Sequence, residues 1–309
     1  MRGRQVRAME TGLTGLWKRV KMYKEAYFML APFTLLFVTF TIVPILAALY
    51  FSFTSFNMLQ KPEWVGAANY TRLFFTDDVF LIAVKNTLLF AFITGPIGYL
   101  LSFMFAWFIN DLGPKLRSVL TLIFYAPSLA GNVFFIWLYL FSGDAYGFAN
   151  SKLMSYGIIK EPILWLTDPK YNFTIVVLVI IWLSMGAGFL AFIAGLQTVD
   201  TSLNEAGVID GIQNRWQELW YITIPQMVPQ LLFGAVMTIA TSFAVGYQSM
   251  ALTGFPSTDY STHTIVLHLL DYGAIRFEMG YASAIAVVLF AGMLFVWNVL
   301  QKSLRKISD

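Results

Sequence analysis

The polar side chains that interrupt the apolar runs of this chain are hydroxyls, amides and indoles, not ionisable groups. Such groups can exchange hydrogen bonds with a neutral polyhydroxyl solute, and the aromatic ones can also stack on it. For any single one, a contact between two membrane helices is the simpler role. Together they permit a pathway for a polar, uncharged solute. They are Tyr125, Ser128, Asn132, Trp137, Trp182, Ser184, Thr238, Thr241, Ser242, Tyr247 and Gln248.

No arrangement of residues for catalysis or for energy supply accompanies these groups in the sequence. The chain has no cysteine, which excludes disulfides, thiol catalysis and cysteine metal sites. It contains no GxxxxGKS or GxxxxGKT phosphate-binding run, no plausibly spaced Ser, His and Asp group, and no carboxylate pair inside an apolar run. His263 and His268 are five residues apart and do not share a helix face, so we predict ordinary loop residues there and no metal pair. We therefore expect no catalytic residue and no cofactor on this chain.

The composition indicates that the elements carrying these groups are membrane helices. The chain is 58% hydrophobic and 12% charged, whereas soluble domains carry about 25% charged residues. Apolar runs of about 20 residues can cross the hydrocarbon core. None of those found here contains Asp, Glu, Lys, Arg or His, which disfavours ion-coupled carriers. We predict an all-α integral membrane protein with six transmembrane helices. The runs are 29–53, 87–109, 118–141, 172–196, 228–252 and 280–300.

The distribution of Lys and Arg predicts that both termini are cytoplasmic. Of these 20 residues, thirteen fall on the face that holds the termini and seven on the other, and the positive face is normally the cytoplasmic one. The net charge of +3 is small and lies at the membrane edges, so we expect no nucleic-acid partner. Residues Leu13, Leu16, Trp17, Val20, Tyr23 and Tyr27 recur at helical spacing among basic residues. They indicate a helix lying on membrane lipid, although an unordered basic tail stays open.

These patterns divide the chain into consecutive parts. Residues 1–28 are a cytoplasmic or interfacial segment, and residues 29–84 hold the first span with an external loop. Residues 85–301 form a core of five spans that contains a polar cytoplasmic segment, 197–225. Residues 302–309 are a cytoplasmic tail.

The 197–225 segment is polar and acidic although it lies on the face that is otherwise positive. We predict a helix over 200–210 capped by Asp200 or Thr201, a break at Gly211, a second helix over 213–222, and an end at Pro225. Five apolar residues are predicted to cluster on one side of this bent pair, where they could dock on a partner or rest on lipid headgroups. They are Ile209, Ile212, Trp216, Leu219 and Trp220.

The letters "EAGVIDG" followed by "ITIP" in this segment resemble the EAA loop of ABC-importer permeases. Other stretches resemble the same family in the same order along the chain, and the resemblance is strongest to sugar and oligosaccharide permeases of the type I importer fold. These stretches are "YFMLAPFTLLFVTFTIVPILAALYFSFTSFN", "WLTDP", "AGLQTVDTSLNEA" and "GYASAIAVVLF".

The resemblance implies that the 197–225 segment docks in a groove of a cytoplasmic ATPase subunit and couples ATP use to opening of the spans. The implied coupling residues are Glu205, Ala206, Gly207, Asp210, Gly211, Trp216 and Pro225. By analogy, the solute contacts along the pathway are Tyr125, Ser128, Trp182, Ser184, Thr241 and Ser242.

The resemblance also implies partners and a location. The partners are a second permease subunit in a heterodimer, two ATPase subunits that bind ATP and Mg²⁺, and an extracellular or periplasmic solute-binding protein that delivers a carbohydrate. The location is the plasma membrane of a prokaryote.

The sequence departs from the family pattern at several positions. Gly207 stands where a second alanine is usual, the interval from Gly211 to Pro225 is one residue longer than expected, and Asp200 replaces a usual proline. "LTGFP" stands in for a more glycine-rich stretch. The alternatives that stay open are a permease for amino acids or polyamines, a membrane-embedded enzyme or signalling receptor, and a passive channel that works without ATP.

Overall fold

The computed structural model describes residues 22–131 and 133–308, and this part of the chain is mostly helical. The predicted interfacial helix around Leu13 to Val20 lies outside the described residues, whereas Tyr23 and Tyr27 are described and exposed. The helices are α1 (Lys24–Phe37), α2 (Val43–Phe51), α3 (Ala68–Phe75), α4 (Asp78–Asn110), α5 (Pro114–Leu129), α6 (Phe134–Leu140), α7 (Phe148–Ser155), α8 (Pro169–Leu183), α9 (Ala187–Leu196), α10 (Thr201–Ile209), α11 (Arg215–Glu218), α12 (Ile224–Gln226), α13 (Val228–Phe243), α14 (Tyr247–Thr253), α15 (Ile265–Leu270) and α16 (Met279–Ser308).

Shorter elements connect some of these helices. A π-helical turn, Val38–Ile42, joins α1 to α2, a second, Leu219–Thr223, joins α11 to α12, and a third, Asp271–Ile275, extends α15. The strands β1 (Thr54–Ser55) and β2 (Glu63–Trp64) pair antiparallel as a short hairpin.

The long apolar helices agree with most of the predicted spans, but several of them are broken. Among the described residues, three helices are long and apolar enough to cross a membrane without a sharp break: Lys24–Phe51, Asp78–Asn110 and Met279–Val299. Two pairs of helices, each bent at a short break, are further candidate spans. Helices α8 and α9 are bent by 41°, and the helical stretch Arg215–Gln226 and α13 are bent by 82°. The total is up to five spans in this part of the chain, so the count of six and the side of each terminus stay predictions.

The predicted single helix over 118–141 is wrong. That run is divided between α5, which ends at Leu129, and α6, which begins at Phe134. Pro127 lacks a backbone N–H and Gly131 favours a non-helical backbone, so the chain leaves the helix here although its hydropathy stays high. The predicted run 228–252 is likewise broken, because α13 ends at Phe243 and α14 begins at Tyr247.

Helix α4 lies at the centre of the fold. It packs against α8, α9 and α13, while α13 also packs against α9 and α16. Small residues permit the close approaches, since a Cβ on Gly98 would lie 2.8 Å from the Cβ of Ser184 and one on Gly188 would lie 3.4 Å from the Cα of Gly234. Every residue of α1 is exposed, whereas α2 packs against α16.

A buried polar cluster closes the end of α4 that is farther from the 197–225 segment. We call it the Asp77 cluster; its members are Asp77, His263, His268 and Tyr281. The carboxylate of Asp77 accepts from the N–H of Phe80, at 2.9 Å, and so caps α4. It also accepts from the hydroxyl of Tyr281, at 2.7 Å, and from Nε2 of His268, at 3.0 Å. His263 extends this series of hydrogen bonds, because its Nε2 lies 3.3 Å from Nδ1 of His268.

The prediction that His263 and His268 are ordinary loop residues is wrong. Both are about 1% exposed, and they contact each other because the loop before α15 folds back onto the start of that helix. Burial lowers the pKa of His263 to about 4 and lowers the pKa of His268 despite the facing carboxylates. Burial acts to raise the pKa of Asp77, but hydrogen bonds from Tyr281 and Phe80, together with His268, hold it below 3.8. No group of three metal-ligating side chains occurs in the described ranges.

Candidate functional site

The first half of the 197–225 segment has the predicted form. The side chain of Asp200 accepts from the N–H of Ser202 at 2.9 Å and caps α10. This bond and one from the Ser202 hydroxyl lower the pKa of the Asp200 carboxyl. The helix ends at Ile209, and Gly211 follows with φ +95°, a conformation that favours glycine. The predicted helix and the predicted break are therefore confirmed.

The second half differs from the prediction of a helix over 213–222 that ends at Pro225. Asn214 caps α11 by accepting from the N–H of Gln217 at 3.0 Å, and the helical stretch continues through Pro225 to Gln226. A π-helical turn makes this continuation possible, with the N–H of Ile224 bonded to the carbonyl of Leu219. A π turn holds one more residue than an α turn. It is therefore a place where the additional residue between Gly211 and Pro225 can be accommodated.

The predicted single apolar side of this segment is wrong. Leu219 is 3% exposed, whereas Ile209 is 86% exposed and Trp220 is 64% exposed. The turn at Gly211 and the π turn rotate these side chains away from one another. Leu219 points into a core cluster formed with residues of α4 and α9, which leaves Ile209 free to meet a partner.

Gly207 is the buried member of the predicted coupling set. A Cβ at this position would lie 2.6 Å from Cδ1 of Ile222 and 2.9 Å from Cδ1 of Ile212. The glycine therefore lets α10 approach the second half of the segment closely, which gives a physical reason for the departure from alanine. The other predicted coupling residues are all exposed: Glu205, Ala206, Asp210, Gly211, Trp216 and Pro225.

Several predicted solute contacts lie beside a break in a helix. Ser184 lies between α8 and α9, where the helix axis bends by 41°. Trp182 packs edge-on against Trp137 of α6 with the ring centroids 5.3 Å apart. Ser128 is near the same break, since a Cβ on Gly186 would lie 3.9 Å from its Cβ. Broken membrane helices expose backbone polar groups and are typical of transporter binding sites.

The hydroxyls of these residues donate to the preceding turn of their own helix. Ser128 donates to the carbonyl of Tyr125 at 2.8 Å, and Ser184 donates to that of Ile181 at 2.7 Å. Thr241 donates to the carbonyl of Met237 at 3.0 Å. Because the proton of each hydroxyl is already used, the oxygen offers only its lone pairs, which can accept hydrogen bonds from the hydroxyls of a solute.

The predicted pathway residues do not form one surface. Ser128 and Thr241 are exposed and can meet a solute. Ser184 and Ser242 face Gly98 and Gly95 of α4, so they also serve helix packing. Tyr125 packs against the core cluster that includes residues of α9.

Trp137 is a further candidate for a solute contact. The sequence places it among the interior polar groups but does not single it out as a contact. Its indole Nε1 is buried and has no hydrogen-bond partner in the part of the chain that the structure describes. A buried N–H without a partner carries an energetic cost that an acceptor on a solute would remove. The sequence signal for it was weak, because a tryptophan in an apolar run is most often a packing residue.

A cavity of about 520 Å³ lies between α4, α13 and α16. Its walls are almost entirely apolar and include Phe92, Pro96, Leu100, Ile239, Phe295 and Val299. Such a lining suits an apolar occupant and offers a polar solute almost no hydrogen-bonding partner. The broken helices are therefore the better candidate for the solute pathway.

The chain is similar over most of its length to known transport proteins. The lactose transport system permease protein LacF of Rhizobium radiobacter is 32% identical over 285 residues, which cover 90% of this chain and 92% of the relative. The arabinooligosaccharides transport system permease protein AraP of Bacillus subtilis is 30% identical over 284 residues, covering 91% and 89%. A chain in the crystal structure of a bacterial ABC transporter involved in alginate import matches with a TM-score of 0.75 and 25% identity, over 95% of this chain and 99% of that one.

The family of binding-protein-dependent transport system inner membrane components matches residues 95–306, which is more than half of the chain. The structural match extends the likeness over the helices before residue 95. The chain therefore belongs to this family and is an integral membrane permease of the ABC importer type.

Proposed function

We propose that this permease forms half of the translocation pathway of an ATP-driven importer for a neutral sugar or oligosaccharide. The observation that carries the proposal is the 197–225 segment, in which the exposed helix α10 is joined to a stretch that bends by 82° into α13. A partner that binds α10 can thereby move α13, a helix of the proposed pathway. ATP and Mg²⁺ belong to two ATPase subunits, and we propose that this chain binds no cofactor of its own.

The coupling step follows from how the segment is built. Closure of the ATPase subunits on ATP displaces α10, which touches the rest of the segment closely at Gly207. The displacement passes through the helical stretch Arg215–Gln226 to α13 and reorients the broken helices that line the pathway. Hydrolysis then restores the first state. The pathway alternates between its two openings and does not work as a continuous pore.

The proposal that the cargo is a carbohydrate rests on the relatives and on the chemistry of the pathway. Relatives include permeases named for lactose and arabinooligosaccharides. Another is named for sulfoquinovosyl glycerol, which supports a carbohydrate cargo but carries an anionic sulfonate. The hydroxyls of Ser128, Ser184 and Thr241 offer acceptor lone pairs to a polyol, and Trp182 offers a ring face. No Asp, Glu, Lys or Arg lies in the six apolar runs, so a charged cargo would find no counter-ion there.

The proposed assembly contains a second, different permease subunit, the two ATPase subunits and a solute-binding protein on the far side of the membrane. Its proposed location is the plasma membrane of a prokaryote. The family description names an inner membrane component of a binding-protein-dependent system. A solved relative whose fold matches with a TM-score of 0.76 is an alginate transporter in complex with a periplasmic protein.

A second candidate cargo is a phosphorylated polyol. The sn-glycerol-3-phosphate transport system permease protein UgpA of Brucella abortus is 29% identical over 272 residues. Uptake by the complete complex in proteoliposomes distinguishes the neutral carbohydrate from the phosphorylated polyol as cargo. Accumulation of lactose or arabino-oligosaccharides supports the neutral cargo, whereas accumulation of glycerol 3-phosphate alone overturns it.

The docking role is tested by Ile209→Asp. Ile209 is 86% exposed, so the change should leave the fold intact while placing a charge on the surface that meets the ATPase. We expect the variant to reach the membrane, to lose co-purification of the ATPase and to lose ATP-dependent uptake. Leu59→Asp is the matched control, because Leu59 is 92% exposed on the hairpin between β1 and β2. Normal uptake by Ile209→Asp would remove the docking assignment.

A further inference from the structure

Arg215 joins the 197–225 segment to the end of α4. Its guanidinium forms an ion pair with the carboxylate of Asp111, which directly follows α4. The same guanidinium lies over the ring of Trp107, with Cζ 4.6 Å from the ring centroid. Trp216, the next residue of the segment, packs against Trp107 with centroids 5.0 Å apart. Two adjacent residues of the segment therefore contact one tryptophan of α4.

The attachment continues into the core. Leu219, one turn after Arg215, belongs to the same buried cluster as Trp107 and Ile109 of α4. The first helix of the segment, α10, has its apolar residues Val208 and Ile209 exposed instead. The segment thus has one half available to a partner and one half fastened to α4.

Helix α4 extends from this attachment to the breaks in the pathway helices. The hydroxyl of Ser102 donates to the carbonyl of Ser184 at 3.3 Å, and Gly98 contacts the same serine. Gly95, one turn earlier, faces Ser242 near the end of α13. A displacement of the α4 end would therefore reach both breaks along one continuous helix.

We propose that Arg215 is a positioning residue that transmits movement of the 197–225 segment to α4, in parallel with the covalent route into α13. This inference rests on the proposed function, since it requires that an ATPase subunit moves the segment. The ion pair with Asp111 sets the direction of the guanidinium, and the Trp107 ring supplies the flat surface on which it lies. A planar, delocalised cation suits both contacts, whereas an ammonium group can pair with Asp111 but has no flat face to stack on the Trp107 ring.

The test compares transport with ATP use in the complete complex. The complex is reconstituted in proteoliposomes with its solute-binding protein, and the probe is a mixture of lactose and arabino-oligosaccharides. For Arg215→Gln we expect normal co-purification of the ATPase and sustained ATP hydrolysis. We expect about a three- to thirty-fold fall in solute accumulated per ATP hydrolysed, as for loss of one ion pair and one cation–π contact. Arg215→Lys should give a smaller fall. A loss of folding would lower uptake and hydrolysis together and leave the ratio unchanged.

Arg117→Gln is the matched control. Arg117 donates to the carbonyl of Asn110 at 3.1 Å and so also holds the end of α4, but from α5 and not from the segment. We expect this variant to keep the ratio of solute to ATP. Asp111→Asn removes the ion pair but keeps the contact of Arg215 with the Trp107 ring, so it should give a part of the fall seen for Arg215→Gln. Both positions are half-exposed, so neither change threatens folding.

The outcomes separate this inference from the function on which it rests. An unchanged ratio at unchanged ATP hydrolysis for Arg215→Gln and Asp111→Asn, in a complex whose ATPase is lost on Ile209→Asp, would overturn the role of Arg215 and leave the docking intact. An equal fall for Arg117→Gln would show that the ratio responds to any loosened contact at the end of α4 and not to Arg215 in particular, and would also overturn the role of Arg215. Retention of the ATPase and normal uptake by Ile209→Asp would instead remove the docking assignment on which this inference rests.

Discussion

The Asp77 cluster makes a strong prediction about stability. The Asp77 carboxylate can only accept hydrogen bonds, so His268 carries its proton on Nε2 and accepts from His263 on Nδ1. With the protons placed in this way, Nδ1 of His263 carries no proton and its lone pair is buried. This atom has no hydrogen-bond partner among the described residues. Replacing Asp77 by alanine removes the acceptor that fixes the positions of the protons in the Asp77 cluster.

The cost of Asp77→Ala is the sum of three losses. Loss of the α4 cap costs about 0.5–2 kcal/mol. The hydroxyl of Tyr281 and the Nε2 proton of His268 are left buried without an acceptor, which costs about 1–3 kcal/mol each. The expected decrease in the free energy of unfolding is therefore about 2–6 kcal/mol, which is below the simple sum because the groups contact one another.

Asp77→Asn should be milder, because the cap of α4 and the contact with His268 are kept. The amide oxygen can still accept from the N–H of Phe80, and the amide nitrogen can donate to the Tyr281 oxygen. His268 can move its proton to Nδ1 and donate to His263 if that ring shifts its proton as well. The hydrogen bonds lose their charge assistance, which costs about 1–2 kcal/mol. The Tyr281 hydroxyl also loses the acceptor of its own proton, which costs about 1–3 kcal/mol.

The assay is unfolding of the purified protein in mixed micelles, followed by tryptophan fluorescence. Asp168→Ala is the matched control, because Asp168 caps α8 by accepting from the N–H of Lys170 at 2.9 Å but lies outside any such cluster. We expect it to cost the cap alone, about 0.5–2 kcal/mol. The reasoning is refuted if Asp77→Ala costs no more than Asp168→Ala, or if Asp77→Asn costs as much as Asp77→Ala.

Two further predictions follow from the buried groups. The pKa of His263 is lowered from 6.5 to about 4, so the neutral form stabilises the fold above pH 6.5, and this contribution of roughly 3 kcal/mol is lost as the pH falls from 6.5 towards 4. His263→Phe keeps the stacking on Phe255 and should flatten the acid side of a stability-against-pH curve; an unchanged curve would contradict the assignment. Gly234→Ala would place a Cβ 2.3 Å from Cζ of the buried Phe192 ring and should cost about 1–3 kcal/mol in the same unfolding assay. Gly292→Ala, with no atom within 4 Å of its Cβ, should cost nothing, and equal effects of the two changes would disprove the close packing.

The features that the sequence predicted well depend on neighbouring residues. Hydropathy over a continuous stretch locates α4 and α16, because crossing a membrane requires a long apolar helix. The cap at Asp200 and the break at Gly211 are likewise local, since each follows from the side chain or the backbone freedom of one residue. The family resemblance added roles for these residues, and those roles stay predictions.

The features that the sequence did not predict depend on residues far apart in the chain. Asp77 meets His268 across 191 positions, and Arg215 meets Asp111 only because the segment folds against the end of α4. The breaks at Ser184 and after Phe243 were missed for a different reason: hydropathy measures polarity and not helix continuity, so a kinked span and a straight one look alike. The π turn before Pro225 was missed because π geometry has no distinct composition.

The central claim is that this permease moves solute only when a separate ATPase drives it through the 197–225 segment. Its most direct test is accumulation of radiolabelled lactose or arabino-oligosaccharides in proteoliposomes, measured for the chain alone and for the complete complex with internal and external ATP. The account predicts accumulation against the gradient only when the second permease, the ATPase subunits, the binding protein and ATP on the ATPase side are all present. Accumulation by the chain alone would contradict it.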